Sequence, residues 1–144
     1  MKRFLIAAAC AALLLGACAT GMRDVDRLAL YRAHAGAQVS SFRYVGSLNG
    51  WAPLGDSALA VWTRPNQAYL LDLNGSCPDL EYAPAISITN QSSTVYARFD
   101  KVVVLGRSSF TIPCHIREIR PLDVAGIRNA EREVRANAQV SERR

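Results

Sequence analysis

Two six-residue apolar runs, ALAVWT (58–63) and AYLLDL (68–73), flank Arg64-Pro65-Asn66-Gln67, and this arrangement constrains the fold more than any other stretch. Proline at the second turn position pre-sets its φ angle, so the segment is predicted to be a β-hairpin with a four-residue loop. Side-chain alternation then puts Tyr69, Leu71 and Leu73 on one face of the second strand, with Leu70 and Asp72 on the other. Other strand signals surround it. SFRYVGSL (41–48) alternates in part and meets the Asn49-Gly50 turn signal. Ala85–Ile88 and Thr94–Phe99 read as short strands, and Lys101–Leu105 as a buried one. FTIPCHIREI (110–119) puts Phe110, Ile112, Cys114 and Ile116 on one face, with Pro113 at an edge or bulge.

Helical patterns bracket these strands. Residues 24–35 read as a short helix with Asp24 at its N-cap, Val25, Leu28 and Ala29 on one face, and Gly36 ending it. From Asp123, a second candidate cap, Val124, Ile127, Ala130 and Val134 recur at helical spacing, and the pattern frays from about residue 138. With 144 residues, 50% of them hydrophobic and 20% charged, the chain suits one small domain with short extensions. It is too apolar for a disordered protein and too short for separate cofactor and substrate modules. The expected fold is mainly β, a small antiparallel barrel or sandwich spanning residues 38–122, with short N-terminal and C-terminal helices. The C-terminal helix and its tail occupy 123–144.

Met1-Lys2-Arg3 precedes a twelve-residue apolar run, FLIAAACAALLL (4–15). As a helix this run reaches about 18 Å, short of a bilayer's hydrocarbon core, which is the shape of an export signal. It ends in Leu15-Gly16-Ala17-Cys18, which resembles the lipobox of bacterial lipoproteins. That resemblance implies a signal peptide of residues 1–17, lipidation of Cys18, and a tether with its short helix over 18–37. A secretory signal cut after a small residue, or an uncleaved anchor, are the competing readings. Ala19, where an aspartate would retain the protein in the inner membrane, resembles the default pattern for the outer membrane. Losing Lys2 and Arg3 lowers the net charge from +5 to +3. Arg128, Arg132, Arg135, Arg143 and Arg144 are interleaved with Glu131, Glu133 and Glu142, the pattern of a solvated helix face. Nucleic acid is therefore not an expected partner; a membrane reached through the lipid anchor, and an envelope protein, are.

Cys10 would leave with the signal and Cys18 would become a thioether, so Cys77 and Cys114 remain. In an oxidising compartment an isolated pair is most simply a disulfide, and its wide spacing disfavours a redox or metal pair. The stretches 41–73, CPDL (77–80), ARFDKVVVLG (97–106) and PCHIREIRPLDV (113–124) resemble an uncharacterised family of proteobacterial envelope lipoproteins, defined as a domain of unknown function. The resemblance implies the lipidated N-terminus and supports the Cys77–Cys114 pairing; it implies no reaction, ligand or catalytic residue.

Chemical signatures are sparse. His34 and His115 are the two histidines, and neither lies near a GxSxG elbow; His115 is expected on the face opposite Cys114, as a surface residue. Asp79, Glu81 and Asp100 are acids in predicted loops, where solvated or capping roles prevail. No HxxxH, HExxH, Asp-rich loop or phosphate-cradling glycine loop occurs, so neither metal nor cofactor is expected. The suggestive feature is aromatic: Trp51 in the Asn49–Pro53 loop and Trp62 in the hairpin, with Arg43 and Arg64 as polar partners, are the candidate binding surface. Trp51 serving as a lid on the core is the plainer alternative. The expected role is a non-enzymatic, lipid-anchored binding or scaffolding module of the envelope. An inhibitor of a lysozyme-like enzyme, although the Ser-Gly-x-x-Tyr motif of such inhibitors is missing, and a small enzyme are the alternatives.

Overall fold

The computed structural model describes residues 22–106 and 111–144. Residues 1–17, Cys18 and Phe110 thus lie outside the described residues. Within them the order is α1 (Asp24–Ala33), β1 (Ser41–Arg43), β2 (Gly50–Pro53), β3 (Ala58–Arg64), β4 (Gln67–Leu73), a 3-10 turn (Leu80–Tyr82), β5 (Ala85–Ile88), β6 (Thr94–Tyr96), β7 (Lys101–Leu105), β8 (Cys114–Leu122) and α2 (Val124–Glu142). The architecture is mainly β and fully antiparallel, and the larger sheet is open rather than closed into a barrel. Its six strands run β2-β3-β4-β8-β7-β5, and β1 pairs with β6 in a separate ribbon.

The hairpin predicted around Pro65 is β3–β4, with Leu59 opposite Leu71 and Val61 opposite Tyr69, but its loop is Pro65-Asn66 rather than four residues, because Arg64 and Gln67 pair. Alternation sorts its side chains into two cores, one on each face of the sheet. Leu59, Val61, Leu71, Leu73, Ile116 and Ile119 meet Phe42 and Val95 of the ribbon and both cysteines on one face. Ala58, Ala60, Leu70 and Leu122 meet Tyr31 of α1 and Val124 and Ile127 of α2 on the other. The sheet is thus sandwiched between a β-ribbon and a pair of helices.

Several elements depart from the sequence pattern, each for an identifiable reason. Residues 50–53 form the edge strand β2 on β3 rather than a turn, because Gly50 and Trp51 find partners in Trp62 and Val61. The Val-Val-Val-Leu run of β7 is only partly covered, with Val102 fully buried, since just Lys101 and Val102 pair with β8. The last strand begins at Cys114, and Ile112 is exposed instead of sharing the core face. On α1, Arg23 occupies the N-cap position without a side-chain cap bond, and Asp24 lies in the first turn. The face α1 buries is centred on Tyr31, and Val25 is exposed. α2 begins at a true cap, with Gly126 N–H donating to Asp123 Oδ1 at 3.0 Å, and continues to Glu142.

The helices meet where α1 ends and α2 begins: Asp123 N–H donates to the His34 carbonyl, and Tyr31 O–H donates to Glu131 Oε1. Burial, with the Glu131 charge second, pushes the Tyr31 phenol above its usual pKa of 10.0. A Cβ on Gly126 would lie 2.7 Å from His34 Cδ2 and 2.5 Å from Asp123 Oδ2. Glycine to alanine within a helix ordinarily stabilises by about 1 kcal/mol. Here the sign reverses: Gly126→Ala is expected to destabilise by about 1–3 kcal/mol in urea unfolding, as overpacking does.

Cys77 and Cys114 are joined by a disulfide, both buried in the ribbon-side core, with their Cα atoms 5.7 Å apart. The bond closes a loop with a sequence separation of 37. In the chain-entropy account such a closure stabilises by about 3–4 kcal/mol, a large share of the 5–15 kcal/mol typical of a small domain. Urea unfolding of the reduced and oxidised protein is expected to differ by about that amount, and a difference near zero would contradict this assignment of stability.

Candidate functional site

Regular alternation along β8 would send residues 116, 118 and 120 to one face and 117 and 119 to the other. The structure breaks this pattern. Ile116 and Ile119 both belong to the ribbon-side core, and the register with β4 shifts, Glu118 facing Asp72 while Ile116 faces Leu73. The two residues between the isoleucines therefore share the opposite face. This is a β-bulge, a device that re-aims a side chain at a cost in local pairing. Its cause is the core, which takes both isoleucines. Its effect is to bring Glu118 and Arg120 to the helix side of the sheet alongside Arg117.

There they meet Arg32 of α1 and Asp72 of β4, and with Ala35 these residues line a cleft of about 290 Å³. Asp72 is one of the two buried charged residues of the described chain, and its Oδ1 accepts from an Arg32 Nη2 at 2.7 Å. Arg120 Nη2 lies 3.6 Å from Glu118 Oε2, and its Nη1 donates to the Gly36 carbonyl at 3.3 Å. Residues 35–39 follow the free edge of β8, with Gly36 and Val39 N–H groups donating to Pro121 and Ile119 carbonyls. The cleft is bounded by backbone on the β8 side and by the last turn of α1 on the other.

The residues singled out from sequence lie elsewhere. Trp51 packs on the ribbon-side core and Trp62 on the helix-side core, edge-on to Tyr31 with ring centroids 6.4 Å apart. The sheet lies between the two indoles. Arg43 ends β1 and Arg64 ends β3, both exposed and on different elements. His115 is exposed, and its neighbour Cys114 is buried as the period of two demands. Asp100, expected in a solvated turn, is buried; it accepts from Thr89 Oγ1 and from the Tyr96 N–H, both at 2.7 Å, and so ties β5 to the β6–β7 connection. Sequence reasoning passed over Arg117 and Arg120. The available signal was the Ile116-x-x-Ile119 spacing, which no regular strand accommodates with both residues on one face.

The cleft's internal pair has a structural role that can be measured. Arg32→Ala leaves the buried Asp72 carboxylate without its cation, and an expected loss of about 1–3 kcal/mol follows from an unsatisfied buried group. Replacing both, as Arg32→Met with Asp72→Leu, is expected to recover most of that loss, since an apolar pair avoids the desolvation cost. Guanidinium chloride midpoints of the two variants check this. A double variant weaker than Arg32→Ala alone would show the pair to be a net source of stability.

The described residues define a disulfide-braced, open-sheet β protein that carries an arginine-lined cleft. The chain belongs to the family of unknown function DUF6491, which matches residues 1–138. No curated protein and no solved structure matches it.

Proposed function

We propose that this chain is a lipid-anchored binding module of the bacterial cell envelope, held at the outer membrane through Cys18 and facing the periplasm, with no catalytic role. The observation that carries the reading is the buried Cys77–Cys114 disulfide at the centre of the ribbon-side core. Structural disulfides of this kind persist in oxidising compartments and are rare in the cytosol. The Leu15-Gly16-Ala17-Cys18 sequence supports the anchor, and multiple acyl chains hold a protein stably where a single one does not. No described helix is long and apolar enough to cross a membrane.

Anchoring at Cys18 also fixes geometry. α1 starts at Asp24, so at most roughly 20 Å of extended chain separates it from the acylated residue. The module is then held close to the bilayer on a short leash, where a partner embedded in or bound to the envelope is always within reach. The arginine-lined cleft at the end of α1 is the surface best suited to meet it.

Cys18→Ser is expected to abolish incorporation of labelled palmitate and to leave a precursor of higher mass. Labelling that persists in the variant overturns the anchor. Mild crosslinking in intact envelopes is expected to yield a discrete adduct with an envelope protein.

A further inference from the structure

We infer that the cleft lined by Arg32, Arg117 and Arg120 binds a singly charged oxyanion, a carboxylate or a phosphodiester group. This deepens the reading of the chain as a binding module and does not depend on how the chain is tethered.

Three guanidinium groups face two carboxylates, Asp72 and Glu118, across the cleft. The balance is one uncompensated positive charge, which one monoanion neutralises. Hydrogen-bonding capacity points the same way. A guanidinium carries five N–H donors in a fixed fork and no acceptor. Arg32 spends one bond on Asp72, and Arg120 spends one on the Gly36 carbonyl beside its ion pair with Glu118. Arg117 is exposed and makes no ion pair among the described residues. Most donors lining the cleft are thus open to a guest oxygen.

The donors are also held in place. Asp72 fixes the head of Arg32 from within the sheet at 2.7 Å, and the Gly36 carbonyl fixes that of Arg120. The bulge, whose position is dictated by the burial of Ile116 and Ile119, turns Glu118 and Arg120 to the same face as Arg117. A planar fork matches the two oxygens of a carboxylate or a phosphodiester, and such charge-assisted pairs are about twice as strong as neutral ones. At about 290 Å³ the cleft lies at the lower end of the range for small-molecule sites, so it takes one charged group rather than an extended ligand.

The test uses the full chain in a nonionic detergent, which brings no competing headgroup. Arginine Nε–H and backbone amide resonances are followed by NMR while sodium acetate or sodium dimethyl phosphate replaces sodium chloride at constant ionic strength. Saturable shifts confined to Arg32, Arg117, Arg120 and the Glu118 amide are expected, and the tighter of the two anions identifies the source chemistry. Arg117→Ala is expected to weaken binding at least about tenfold, the effect of losing a charge-assisted pair, with Arg117→Lys in between. Arg128→Ala is expected to leave affinity unchanged, since that side chain is engaged with the Pro65 carbonyl at 2.7 Å. Non-saturating shifts equal to those from chloride, or an Arg117→Ala protein of unaltered affinity, overturn the inference. Loss of palmitate labelling at Cys18 reads the anchor separately, so either can fail alone.

Discussion

The antiparallel pairing of β4 with β8 joins two stretches far apart in sequence, and most of the remaining structure is arranged around it. Six residues of β4, Ala68 to Leu73, have partners on β8. The other edge of β8 is occupied as well, by β7 at residues 114–115 and by the segment 35–39 toward its C-terminal end. A strand bonded on both edges has little freedom to slip, and a slip of one residue would exchange its buried and exposed sets. The chain after β4 therefore has to return in one register, and both cores form only when it does.

That register makes the bulge more than a local irregularity. The ribbon-side core takes Ile116 and Ile119, and the helix-side face takes Leu122, so a residue has to be accommodated between them. Glu118 is turned to join Arg117 on the helix side, where the end of α1 leaves room. Hydrophobic burial on one side of the sheet thus determines which charges gather on the other. Asp72 belongs to the same logic. It sits at a position where β4 alternation demands the helix-side face, and it is tolerated there because Arg32 reaches it.

Much of the fold is legible in the sequence because it is local. The Pro65 hairpin, the strand over 85–88 and the Asp123 cap are set by residues within a few positions of one another. The strand at 50–53 was hidden by the Asn49-Gly50 turn signal, since an edge strand is defined by its partner β3 and not by its own pattern. The sequence pattern extends β8 too far toward the N-terminus because Phe110 and Ile112 continue the alternation of Cys114 and Ile116, although Ile112 is exposed. The candidate site was the least legible part. Its residues come from α1, β4 and β8, and an arginine in a strand reads as a solvated side chain until the opposite strand is known. The tryptophans are candidates by residue type alone, and each packs against a different core.

The disulfide has a mechanical corollary. Because Cys77 and Cys114 cannot part, the intervening chain is a closed ring that no tension along the backbone can pull straight. With a sequence separation of 37, about 130 Å of contour is withheld from any stretching of the molecule between its two ends. A force applied there would pass from Cys77 to Cys114 through the sulfur bridge, leaving β5, β6 and β7, which lie between the two cysteines, unloaded until a reductant arrived.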